Sequence, residues 1–94
     1  MAVVGVLTLD IFVETSHSLK EKRHVVKSLK DRLRERFNVA VAEIDGLDSS
    51  QHAVVAAVTV SNDKVIAEKV LSAVEAHAES VLAGALTGTS IEWL

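Results

Sequence analysis

Residues 3–13 have the two-residue period of a strand, because the odd positions are all apolar or Gly while the even positions mix apolar with polar side chains. The odd positions from Val3 to Val13 form the face that we expect to be buried, and the even positions form the opposite face. Ser18 followed by Glu21 has the spacing of a capping box, which predicts that a helix begins directly after Ser18. Over residues 18–37 the apolar positions recur with a helical period, at Leu19, Val25, Val26, Leu29, Leu33 and Phe37.

The second half of the chain repeats this succession of patterns. Residues 38–45 alternate again, with Val39 and Val41 expected inward, and residues 46–50 have the composition of a turn. Residues 61–63 offer N-cap side chains for a second helix, Gly84 is its predicted C-cap, and residues 87–94 predict a final strand. Residues 51–60 predict a strand with Val54, Ala56, Val58 and Val60 inward and Ala53, Val55, Ala57 and Thr59 outward.

The predicted elements follow one another in the order β-α-β-β-α-β. This order predicts an α+β ferredoxin-like fold, in which a four-stranded antiparallel sheet carries both helices on one face. A chain of 94 residues is near the common size of one domain and has no low-complexity tract, so we expect residues 1–94 to form a single ferredoxin-like domain. A hydrophobic content of 49% is ample for its core.

Composition excludes several classes of protein. Because there is no Cys, thiolate zinc sites, redox motifs and thiol nucleophiles are excluded. The start of the chain lacks the basic segment of a signal peptide, and no apolar run approaches the roughly 20 residues that cross a bilayer. We therefore expect a cytoplasmic protein that does not enter the membrane. The net charge of −3 argues against coating nucleic acid through bulk charge, so any such binding must be local.

Positive charge is concentrated on the first predicted helix. Residues 18–37 hold eight of the ten Lys and Arg residues and three acids, which leaves about +5 on this segment and −8 on the rest of the chain. Most of these cations lie within about 80° of arc beside the apolar stripe, and such a stripe is most often a solvated face. A phosphate-binding surface is the functional alternative, favoured by cations in the first turn that oppose the helix dipole. The candidate RNA- or anion-binding residues are Lys20, Lys22, Arg23, Lys27, Lys30 and Arg34.

The sequence lacks patterns that indicate catalysis or metal binding. The His residues at positions 17, 24, 52 and 77 never occur at the i, i+4 spacing of a helical metal site. Asp10, Ser16 and His17 are close in sequence, but no nucleophile-elbow motif surrounds them, and no Gly-rich phosphate loop occurs. We therefore expect a protein that is not an enzyme, with no catalytic residues, no cofactor and no metal.

The sheet face opposite the helices is predicted to be apolar. With two Phe, one Trp and no Tyr in the chain, this face is poorly equipped to stack RNA bases. Contiguous apolar patches usually mark contacts, so homodimerisation or a protein partner is the alternative use of this face. The residues that we expect to form the dimer or partner face are Val4, Val6, Phe12 and Val55.

The run Ser-Leu-Lys-Glu-Lys-Arg at 18–23, its continuation to Glu43, and Val-Ser-Asn-Asp at 60–63 resemble the YlxP-like family, a small bacterial domain of unknown function. The resemblance covers essentially the whole chain. It implies a cytoplasmic ferredoxin-like protein, often encoded beside translation-initiation and ribosome-maturation genes, with no established activity. Ser49 and Ser50 depart from the family pattern, because relatives often carry an aromatic residue between the positions of Asp48 and Gln51.

Three hypotheses about function follow. The leading one is a non-enzymatic module that associates with ribosomal RNA or the ribosome through the basic first helix. The alternative is a protein-interaction or homodimerisation module that uses the open sheet face or the basic helix. The third is small-molecule anion binding at the turn that includes Ser18 and Arg23.

Overall fold

A computed structural model describes all residues from 1 to 94. The elements alternate in the predicted order, and a short 3-10 turn at Ala83–Ala85 joins the second helix to the last strand. Their bounds are β1 Val3–Phe12, α1 Leu19–Arg36, β2 Ala40–Asp45, β3 His52–Ser61, α2 Lys64–Leu82 and β4 Leu86–Trp93.

The four strands form one sheet in the order β2-β3-β1-β4, and every neighbouring pair is antiparallel. β1 and β3 are therefore the central strands, and β2 and β4 are the edges. Both helices pack on the same face of this sheet and contribute to one core. The predicted ferredoxin-like α+β fold is confirmed.

The core lies between the sheet and the helix layer. Leu7, Leu9 and Ile11 of β1 are fully buried there, as the alternation of residues 3–13 predicts. The helices contribute Val26, Leu29 and Leu33 of α1 and Leu71, Val74 and Ala78 of α2 to the core. Gly5 lets the Trp93 ring lie across β1, because a Cβ at this position would stand 2.5 Å from the ring and 2.8 Å from Leu71.

The faces of β3 are opposite to those predicted. β3 pairs with β1 so that Val55 lies opposite Leu9 and Ala57 opposite Leu7, and directly paired residues share a face of the sheet. Val55 is consequently fully buried under the helices and is not part of the dimer or partner face. The reason is that both faces of β3 are apolar, so its alternation carries no information about which one is inward. The open face instead receives Val54, Ala56, Val58 and Val60.

Side-chain caps fix the starts of both helices. Ser18 Oγ accepts a hydrogen bond from the Glu21 backbone N–H at 3.1 Å, and Glu21 Oε2 accepts one from the His17 N–H at 2.9 Å. Asp63 caps α2 by accepting from the Val65 N–H at 2.8 Å, which confirms the predicted N-cap region. The predicted C-cap at Gly84 is wrong by one residue, because the positive φ of 50° that ends α2 belongs to Ala83.

Candidate functional site

Four cations of α1 lie along one side of the helix and line a shared groove beside β2. Arg23, Lys27, Lys30 and Arg34 follow one another at spacings of four, three and four residues, which places them on one helical stripe. The groove has a volume of about 370 Å³, and Val26, Asp31 and Glu43 also line it. We call these four residues and the space between them the basic groove.

The four cations of the basic groove differ in the hydrogen bonds and ion pairs that their side chains make with the rest of the protein. Lys27 Nζ donates to Asp31 Oδ2 at 2.8 Å. Arg34 Nη2 donates to the Val41 carbonyl oxygen at 2.7 Å, and its Nη1 lies 3.9 Å from Asp31 Oδ1. Arg23 and Lys30 make no hydrogen bond or ion pair with the protein through their side chains. These two side chains are therefore free to take an anion.

The carboxylate of Asp31 experiences the positive charge of the groove. The hydrogen bond from Lys27 lowers the pKa of Asp31 below its ordinary value, against a smaller opposing effect of desolvation. The charges of Lys27, Arg34 and Lys30 lower the pKa of Asp31 further. The groove thus stabilises negative charge at the position of this carboxylate.

The prediction that Lys22 binds anions is wrong, because its side chain is fully buried and cannot reach a ligand at the surface. Its Nζ donates to Glu43 Oε2 at 2.7 Å and to the Gly46 carbonyl oxygen at 2.9 Å, so the first turn of α1 is tied to the end of β2. A signal for this burial was present in the sequence. Lys22, Val26, Leu29 and Leu33 share the i, i+4, i+7, i+11 spacing of the buried stripe.

Lys20 is exposed in the first turn of α1, three residues before Arg23, and it does not line the basic groove. It extends the row of cations toward the start of the helix. The acidic residues of α2 do not neutralise this row. Every ion pair in the structure that involves a cation of α1 has its acidic partner in α1 or β2.

The four His residues do not come together. No group of three or more His, Asp or Glu side chains is placed to hold a metal ion. His77 packs edge to face against Phe37, with ring centroids 5.8 Å apart, which gives it a structural role in the helix layer. Neither helix combines the length and the apolarity that crossing a membrane requires.

Solved structures with the same arrangement define the class of fold. The de novo designed protein Foldit4 superposes with a TM-score of 0.60 at 14% identity, covering 100% of this chain and 97% of the designed one. A dimeric ferredoxin-like protein of unknown function from Thermobifida fusca gives a TM-score of 0.50 at 11% identity, covering 97% and 90% of the two chains. At these identities the likeness shows the fold alone, and that fold is ferredoxin-like.

Sequence comparison then places the chain among its relatives. Residues 4–91 match the family described as a protein of unknown function, DUF503, and the chain belongs to that family. The uncharacterized protein YlxP of Bacillus subtilis is 33% identical over 91 residues, which cover 97% of this chain and 99% of YlxP. The resemblance to the YlxP-like family is therefore confirmed. Because the family has no described activity, the absence of catalysis stays a prediction.

Proposed function

We propose that this protein is a non-enzymatic RNA-binding module, and that the basic groove contacts the phosphates of ribosomal RNA. The observation that carries the proposal is the convergence of Arg23, Lys27, Lys30 and Arg34 on one groove in which two of the cations have no protein partner. Phosphate contacts by Lys and Arg supply most of the affinity of non-specific nucleic-acid binding.

The charge balance of the groove favours an anionic ligand. The groove is lined by two carboxylates, but one of them, Glu43, is already paired with the buried ammonium group of Lys22. Asp31 alone therefore offsets the four cations. A phosphate that approaches Arg23 and Lys30 meets donors that would otherwise be satisfied only by water.

The dimensions of the groove suit a short stretch of RNA backbone. Arg23 and Arg34 are eleven residues apart, which corresponds to about 17 Å along the helix axis. Lys20 continues the row beyond Arg23 by one further turn. A row of this length can follow a few consecutive phosphates without reading the bases, so we expect weak sequence preference.

The helix layer suits RNA better than the open sheet face does. The central strands carry two aromatic rings on that face, Phe12 at the end of β1 and His52 opposite it at the start of β3, and none along the rest of the face. Stacking of bases on aromatic side chains, which many ferredoxin-like RNA-binding sheets use, is therefore poorly supported here. The family resemblance adds that members are often encoded beside translation genes, which favours ribosomal RNA as the probe.

The experiment is the fluorescence anisotropy of a labelled ribosomal RNA fragment at several salt concentrations. For four single-strand phosphate contacts, the logarithm of the association constant should fall with that of the salt concentration with a slope of about −3. The double variant Arg23→Ala/Lys30→Ala should weaken binding and reduce the slope to about −1.5, because two contacts are lost.

The matched control is the double variant Arg32→Ala/Arg36→Ala. It removes the same charge from the same helix, and neither of these exposed residues lines the basic groove or makes an ion pair. We expect it to bind RNA nearly as the wild type does. Equal losses in the two double variants would show that only net charge matters, and no binding at low salt would redirect the search to acidic protein partners.

A further inference from the structure

The two central strands are largely apolar on both faces, although the helices cover only one of them; the polar residues on the uncovered face are Thr8, Asp10 and His52. Antiparallel sheets with one face in water normally alternate between apolar and polar residues. Val60 is 57% exposed and Phe12 42% exposed, and the other members of the patch are partly exposed. We define the open face by the large apolar residues that β1 and β3 turn away from the helices: Val4, Val6, Phe12, Val54, Val58 and Val60.

We infer that a second copy of this chain covers the open face, so that the protein is a sheet-to-sheet homodimer. This inference does not depend on RNA binding by α1. The residues of this face differ from those predicted from the sequence. Val55 does not belong to it, and Val54, Val58 and Val60 of the same strand do.

The area of the open face matches what a dimer of this kind needs. The strands contain 10, 6, 10 and 8 residues. With about 3.3 Å per residue and about 4.8 Å between strands, the uncovered face of all four strands, and not of β1 and β3 alone, has an area of roughly 500 Å². Two copies would bury about 1,000 Å² in total, which is near the lower limit of specific interfaces. An interface at this limit is typical of weak association, so we expect a reversible dimer.

The charge distribution also fits a second copy. β1 and β3 place one charged residue, Asp10, on the open face. On the edge strands Glu92 lies opposite Val6 and Asp45 opposite Val54, while Ala40 and Ala42 of β2 extend the apolar area. No strand carries Lys or Arg, so the face offers no such cations to a nucleic acid, and two of its three carboxylates lie on the edge strands, away from the apolar centre that a second copy would cover. Branched Val side chains on facing sheets pack in the manner of a sandwich core. Because the helices then lie on the outside, both basic grooves remain exposed.

The test is sedimentation equilibrium of the wild type and variants over about 1 µM to 1 mM. The wild type should shift from monomer to dimer across this range. Val60→Lys places a cation in the interface and should weaken the dimer by at least about tenfold, because a charge buried there lacks a partner. Val65→Lys is the matched control, since Val65 is also a Val that is 57% exposed but lies in the first turn of α2.

A second variant, Val58→Lys, places the charge nearer the centre of the face, opposite Val6 and Ala40. Circular dichroism tests whether each variant keeps the wild-type fold. Position 60 should tolerate a lysine better than position 58, because the Val60 side chain is already more than half exposed. A wild type that is monomeric at 1 mM overturns the inference. A dimer that both open-face variants leave intact also overturns it, because the contact would then lie elsewhere, such as the free edge of β4.

Discussion

The ion pair between Lys22 and Glu43 predicts a large loss of stability when its cation is removed. Lys22 is fully buried, the side chain of Glu43 is 12% exposed, and the Gly46 carbonyl oxygen depends on the same ammonium. Lys22→Met keeps most of the apolar stem but leaves a nearly buried carboxylate and a backbone oxygen without their donor. Breaking a buried pair from one side costs 3–5 kcal/mol, and the slight exposure of Glu43 places the expected loss at about 3 kcal/mol.

The assay is urea unfolding followed by far-ultraviolet circular dichroism. For a slope of about 1.5 kcal/mol per molar urea, a loss of about 3 kcal/mol moves the midpoint down by about 2 M. In thermal unfolding the same loss corresponds to roughly 12–24 °C for a domain of this size. The double variant Lys22→Met/Glu43→Gln should recover part of the loss, because no buried charge is then left unpaired.

Lys27→Met is the matched control for this experiment. Lys27 and Asp31 are also joined by a short contact of 2.8 Å on the same helix, but their side chains are 74% and 46% exposed. An exposed i, i+4 pair contributes about 0.3–0.5 kcal/mol, so this variant should unfold within about 0.5 kcal/mol of the wild type. If Lys22→Met is as mild as Lys27→Met, the reasoning from burial is refuted.

Two further predictions concern close packing and pH. Gly5→Ala should destabilise the fold by about 1–3 kcal/mol and change the fluorescence of Trp93, because the new methyl group meets the Trp93 ring; unchanged unfolding and fluorescence would contradict this packing. The depressed pKa of Asp31 means that its contribution to stability is present above the ordinary Asp pKa of about 3.9 and is lost as the pH falls through the lower folded value. An NMR titration should place the Asp31 midpoint below the ordinary range and show it rising in Lys27→Met, whereas a midpoint that Lys27→Met does not move would disagree with the assigned cause.

Much of the candidate site follows from local sequence. The order of the strands and helices, the capping box at Ser18 and the Asp63 cap depend on residues close together in the chain, so pattern alone identifies them. The alternation of β1 identifies its buried face because Asp10 and Thr8 mark the other face as more polar. The helical stripe of Arg23, Lys27, Lys30 and Arg34 is likewise a property of spacing along α1.

Only the tertiary structure decided which surfaces are available. β3 is apolar on both faces, so its pairing with β1, and not its own sequence, turned Val55 inward and Val60 outward. Lys22 is one of eight similar cations on α1, and although its spacing places it on the buried stripe, only the fold showed that Glu43 of β2 pairs with it there at 2.7 Å. Whether a charged side chain can be buried depends on the partner that the fold places beside it, because the free energy of an unpaired buried charge is far higher than that of a charge in water. For the same reason, four cations on one stripe became a groove only once β2 supplied its other wall.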